Sequence, residues 1–137
     1  MIDLKHCHAM SFWLLATVFL VACTHRQEFW ASQTVREIEE VKSRMVPSDG
    51  SLLNESGPAR DPSNIRASWE IQTKSDNRAY FQWLKNQLGK EYHVTSESAS
   101  AMTLVKQIEG DSYTIAIHGN GAPAGTMVQV QFVAGPD

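Results

Sequence analysis

The chain has 137 residues, with 12 Lys and Arg against 15 Asp and Glu, a net charge of −3 and 42% hydrophobic content. That length suits one domain with a tether but not two full cores. So mild an acidity leaves no basic footprint for nucleic acid or anionic lipid head groups, and DNA and RNA binding are excluded from the expected functions.

The first element in chain order is an apolar run from Phe12 to Ala22, interrupted only by the small Thr17. At about a dozen residues it falls well short of the roughly 20 that a spanning helix needs. It reads as the hydrophobic region of an export signal. The run closes on Leu20-Val21-Ala22-Cys23, and these four residues resemble the lipobox of bacterial lipoproteins. The resemblance implies cleavage before Cys23, a diacylglycerol on its thiol and an acyl chain such as palmitate on the freed amine. A small residue before the cysteine admits the peptide to the peptidase, and the thiol is the nucleophile that takes the lipid. At roughly 0.8 kcal/mol per buried methylene, two or three acyl chains would hold the protein permanently on a membrane. Thr24 stands where an Asp would imply inner-membrane retention, so the family rule favours the outer membrane, facing the periplasm.

Removal of residues 1–22 would leave the net charge unchanged, because Asp3 and Lys5 depart together. The two cysteines, Cys7 and Cys23, would then be discarded and lipidated respectively, leaving no thiol for a disulfide or a Cys-ligated metal. Residues 23–66 read as a lipid-anchored tether. Within it, Trp30, Thr34, Ile38, Val41 and Met45 recur at helical spacing and predict an amphipathic helix over about 27–45. Pro47-Ser48-Asp49-Gly50 stops that helix, and Gly57, Pro58 and Pro62 among Ser and Asn predict a flexible linker over 46–66.

The globular domain is expected over 67–137. Trp69, Ile71 and Thr73 alternate with polar residues as in a half-buried strand. Ser75 and Asp76 suit the start of a helix whose apolar stripe is Tyr80, Phe81, Leu84 and Leu88, with Trp83 at its edge and Gly89 as its stop. Beyond Gly89 the period becomes two. Strands are expected around Tyr92 and Val94, then at Met102 to Ile108 with Lys106 interrupting, at Tyr113 to Ile117, and at Val128 to Phe132. Glu109-Gly110-Asp111 reads as a tight turn, Thr95 to Ser100 as a loop, and His118 to Gly125 as a longer loop. Thr103, Gln107, Thr114, Gln129 and Gln131 should share one uncovered face. The expected fold is α+β, a two-layer sandwich of one helix on an antiparallel sheet of four to five strands, preceded by a separate amphipathic helix and linker.

No catalytic constellation emerges. His93 and His118 are too far apart in the chain to suggest a metal site, and no carboxylate pattern accompanies them. The glycine-rich segment Gly119 to Gly125 leads into a strand, whereas a phosphate loop leads into a helix. The expectation is a non-catalytic, lipid-anchored envelope module that uses no cofactor and contacts the membrane through Cys23. It would hold an envelope protein partner by the uncovered face or by an edge strand at Val128 to Val133. The alternative is a binder of small ligands or cell-wall glycans, with Trp83, His118 and Asn120 as its contacts. A small envelope enzyme would require His93, His118 and a carboxylate to converge.

Overall fold

The computed structural model describes residues 28–122 and 125–136. The expected export signal, the lipobox-like segment with Cys23, and residues 123, 124 and 137 lie outside the described residues. The chain divides into two compact units, 1–33 and 34–137, and the contacts below are those within the second.

Helix α1 spans 28–45. From Thr34 onward its buried residues are Thr34, Ile38, Val41 and Met45, the stripe that the spacing predicts. It ends just before Val46-Pro47, because a proline disfavours helical backbone in the residue before it. Pro47-Ser48-Asp49-Gly50 then closes a tight turn, with the Gly50 N–H donating to the Pro47 carbonyl at 3.0 Å. This turn leads directly into β1 (Ser51–Arg60), which pairs antiparallel with β2 (Ile65–Thr73).

Helix α2 (Asn77–Leu88) follows, capped by Asp76, whose carboxylate accepts the Ala79 N–H at 2.8 Å. It buries Tyr80, Phe81, Leu84 and Leu88. Four strands complete the chain: β3 (His93–Glu97), β4 (Ala101–Ile108), β5 (Asp111–Ala122) and β6 (Gly125–Pro136). The single antiparallel sheet has the order β1-β2-β6-β5-β4-β3. One face carries Trp69, Ile71, Met102, Leu104, Tyr113, Ile115, Ile117, Val128, Val130, Phe132 and Ala134, all buried.

Both helices pack on this face. Thr34 Oγ1 of α1 lies 3.2 Å from the Tyr113 hydroxyl of β5, and the Asn77 amide of α2 donates to the Gly119 carbonyl of β5 at 2.9 Å. The helices are also joined to each other. The Tyr80 hydroxyl donates to the Met45 carbonyl at 2.8 Å, and the Arg44 guanidinium donates to the Gln87 carbonyl.

The expected fold class is corrected in three respects. First, the sheet has six strands rather than four to five, and two helices cover it rather than one. Second, the helix expected to stand apart supplies part of the core, and the segment expected to be a linker contains β1. The β1 residues beyond Leu53 are exposed, so their sequence shows no apolar alternation; backbone pairing with β2 is what makes them a strand, and an edge position tolerates Gly57 and Pro58. Third, β6 lies between β2 and β5, so the stretch from Val128 to Val133 is central and offers no edge.

Two of the expected loops are mostly strand. Thr95, Ser96 and Glu97 complete β3, and His118 to Ala122 extend β5. The glycines there have packing roles. Gly119 is buried, and a Cβ on it would strike the Asn77 amide; Gly125, at φ +132°, faces the Thr73 carbonyl. That backbone conformation is essentially reserved for glycine. Gly125→Ala is therefore expected to cost about 2 kcal/mol or more, read as a lowered denaturation midpoint. An unchanged midpoint would contradict the tight β2–β6 approach.

Candidate functional site

Among the described residues nothing covers the face of the sheet opposite the helices, and the strand register orders its side chains into rows. One row runs Leu53, Glu70, Gln129, His118, Ala101. The next runs Ser56, Ser68, Gln131, Ala116, Thr103, and the third runs Ala59, Arg66, Val133, Thr114, Val105. The Gln and Thr residues expected on one face lie here, with Gln129, Gln131, Ala116 and His118 exposed at its centre. Hydroxyls, amides and charged groups alternate here with small apolar residues, the mixture expected where water rather than a second layer meets a sheet. The surface measures roughly 24 Å across five strand spacings by about 30 Å along the strands. That gives on the order of 700 Å², close to the ~800 Å² that each partner contributes to a standard protein interface.

The three residues singled out as ligand contacts are not brought together. His118 and Asn120 are exposed on the open face, where they pair across the strands with Gln129 and Met127. Trp83 projects from α2 in the helical layer on the other side of the sheet, half-buried, with its ring 5.7 Å from that of Tyr80. His93 and His118 share the open face but stand opposite Val105 and Ala101 of β4. Those positions are about 13 Å apart along the strand, so the two imidazoles do not converge. Among the described residues no group of three or more His, Cys, Asp and Glu could hold a metal. The large aromatics around β2 and α2 belong to the core: Trp69, Tyr80, Phe81 and Tyr92 are all buried.

At one side of the open face is a shallow depression of about 240 Å³ between the second and third rows, lined by Ser56, Ala59, Arg66, Ser68, Gln131 and Val133. The shape comes from β1, whose pairing with β2 slips twice, between Leu53 and Ser56 and between Ser56 and Ala59. Gly57 lies within the second slip at φ +86°, and a Cβ there would come within 2.7 Å of the Arg66 carbonyl. Such bulges locally bend a strand and re-aim its side chains.

The densest charged cluster is on the helical side. Glu37 Oε1 of α1 accepts from the Tyr92 hydroxyl at 2.8 Å and from Lys106 Nζ of β4 at 3.0 Å. Lys106 also lies 3.4 Å from Glu91, which pairs at 3.4 Å with Arg44. Its ammonium sits 5.6 Å from the centre of the Tyr92 ring. Burial disfavours the Lys106 charge, but the hydrogen bonds and charges of Glu37 and Glu91 outweigh it and hold the group above the usual lysine range. Burial, with Glu37 as acceptor, likewise raises the Tyr92 phenol. With each member already partnered, this cluster acts as a latch tying α1 to β4 and to the turn after α2. Its sequence signal was Lys106 itself, a cation at a helix-facing position of an otherwise apolar strand stripe, which requires a buried anionic partner. Arg66 had no such signal, because the depression around it exists only once β1 is placed.

No family model and no curated protein matches the chain. Among solved structures it is similar to LpqN, involved in cell envelope biogenesis of Mycobacterium tuberculosis, at 13% identity and a TM-score of 0.36 over 67% of this chain and 69% of that one. A likeness this distant bears on neither family nor function.

Proposed function

We propose that this protein is a non-catalytic interaction module of the bacterial cell envelope, held by lipid on Cys23 at the periplasmic side of the outer membrane. The observation that carries the reading is the open face: a six-stranded sheet with both helices on one side and ordered rows of mixed polar and small apolar side chains on the other. Such a surface suits a protein partner. Its area approaches that of a standard interface, and its polar groups can exchange water for partner hydrogen bonds. A glycan reading finds less support, since Trp69, Tyr80, Phe81 and Tyr92 are buried and the open-face rows named above hold no Trp, Tyr or Phe for a sugar to stack on.

The test is cross-linking in intact cells, comparing the native protein with Cys23→Ala and with Ala116→Arg, which places a bulky charge at the centre of the open face. A discrete protein should be captured by the native form and lost in both variants, while labelled palmitate should enter the native form and not Cys23→Ala. Capture that persists in Ala116→Arg would remove the open face as the contact surface. Absence of label from the native form would remove the lipid anchor.

A further inference from the structure

We infer that the depression at Arg66 is a receptor for a single carboxylate, presented as an acidic side chain by the protein that docks on the open face. Only the source of the carboxylate rests on the proposed function; the site itself rests on its own geometry.

Arg66 stands at the rim with its side chain 64% exposed, and its ion-pair contact is Nε to Asp61 Oδ2 at 3.6 Å. That pair is loose because Asp61 is already engaged. Its carboxylate accepts the N–H groups of Asn64 at 2.8 Å and Ser63 at 3.1 Å, and these backbone bonds, more than Arg66, hold it below the usual carboxylate range. An exposed pair of this kind contributes little, so the guanidinium fork is available to an incoming carboxylate, whose two oxygens it matches.

Neutral polar groups complete the lining. The Ser56 and Ser68 hydroxyls and the Gln131 amide lie in the neighbouring row, and Ala59 and Val133 give a small apolar wall. At about 240 Å³ the depression holds one short acidic side chain and not a folded ligand. The lining itself has no acidic residue, and Asp61, outside it, engages only Nε of Arg66, so the terminal nitrogens of the guanidinium are the part that an incoming anion would meet.

The experiment uses the mature chain carrying Cys23→Ala, labelled with 15N and titrated with the tripeptide Ac-Gly-Glu-Gly-NH2, with Ac-Gly-Gln-Gly-NH2 as the isosteric control. The Glu peptide should shift the Ser56, Ser68 and Gln131 amides saturably, with an affinity about two- to fivefold above that of the Gln peptide, as expected for an exposed ion pair. Arg66→Gln should abolish that preference and Arg66→Lys should retain part of it. Both variants should keep the remaining amide shifts, since Arg66 is exposed. Equal shifts by the two peptides, or an unchanged preference in Arg66→Gln, would overturn the assignment. Because the titration contains neither membrane nor partner, it can succeed where the cellular cross-linking fails, which separates the carboxylate site from the envelope role.

Discussion

Phe132→Ala is expected to destabilise the domain by about 3–5 kcal/mol, the range for deleting a fully enclosed aromatic ring. Phe132 is 0% exposed and sits on β6, between Ala67 of β2 and Ile115 of β5, with its ring 5.5 Å from that of Tyr113. Deleting it opens a cavity on the buried face of a central strand, beside Tyr113, where the paired backbones of β2 and β5 leave little freedom for the surroundings to collapse. Against a total stability of roughly 5–15 kcal/mol for a domain of this size, such a loss should lower the denaturant midpoint sharply or leave the chain unfolded. The neighbouring Gln131→Ala is the control. Gln131 faces the other way and is exposed, so its removal should change stability by no more than about 0.5 kcal/mol. Urea titration of both variants measures the contrast. Equal effects would mean that β6 is turned over and that the open face is misassigned.

Alkaline unfolding should be the second large effect. Burial holds the phenols of Tyr80 and Tyr92 well above their ordinary value of 10.0, and for Tyr92 the hydrogen bond to Glu37 adds to it. Below about pH 10 both phenols keep their protons in the folded and unfolded chains alike, so their contribution is constant there. Above it the unfolded chain releases two protons that the folded chain retains, and stability must fall as pH rises. The slope approaches about 2.7 kcal/mol per pH unit when both groups respond, at 1.36 kcal/mol for each. Lys106, also raised, works in the same direction. Tyr80→Phe and Tyr92→Phe should each lower the slope by up to about 1.36 kcal/mol per pH unit while costing roughly 1 kcal/mol at neutral pH for the lost hydrogen bond. The measurement is the denaturant midpoint from pH 8 to 12, and an unaltered slope in the double variant would show that other groups govern the transition.

How much was legible follows from which forces are local. The period of four and three in α1 and α2, and the period of two in β2, β4, β5 and β6, are written in the apolar residues themselves, since those stripes face the core. The Asp76 cap and the turn at Glu109-Gly110 are likewise short-range. The candidate site was less visible. Gln129, Gln131, Thr103 and Thr114 announce a solvated face, yet nothing local says that Ser56, Arg66 and Ser68 adjoin them. Trp83 and His118 looked compatible with one ligand until the sheet separated them.

By itself, the sequence determined the amphipathic stripes, the absence of a thiol beyond Cys23 and the lipoprotein-like signal, because each depends on residue identity at close spacing. Only the tertiary structure decided that 46–66 holds an edge strand, that α1 covers the sheet, that β6 is central and that Lys106 is neutralised by Glu37 from 69 positions away. The physical reason is that strand pairing is a long-range choice made by backbone hydrogen bonds, which every residue but proline can donate. An exposed edge strand such as β1 needs no apolar pattern, and so leaves none to read.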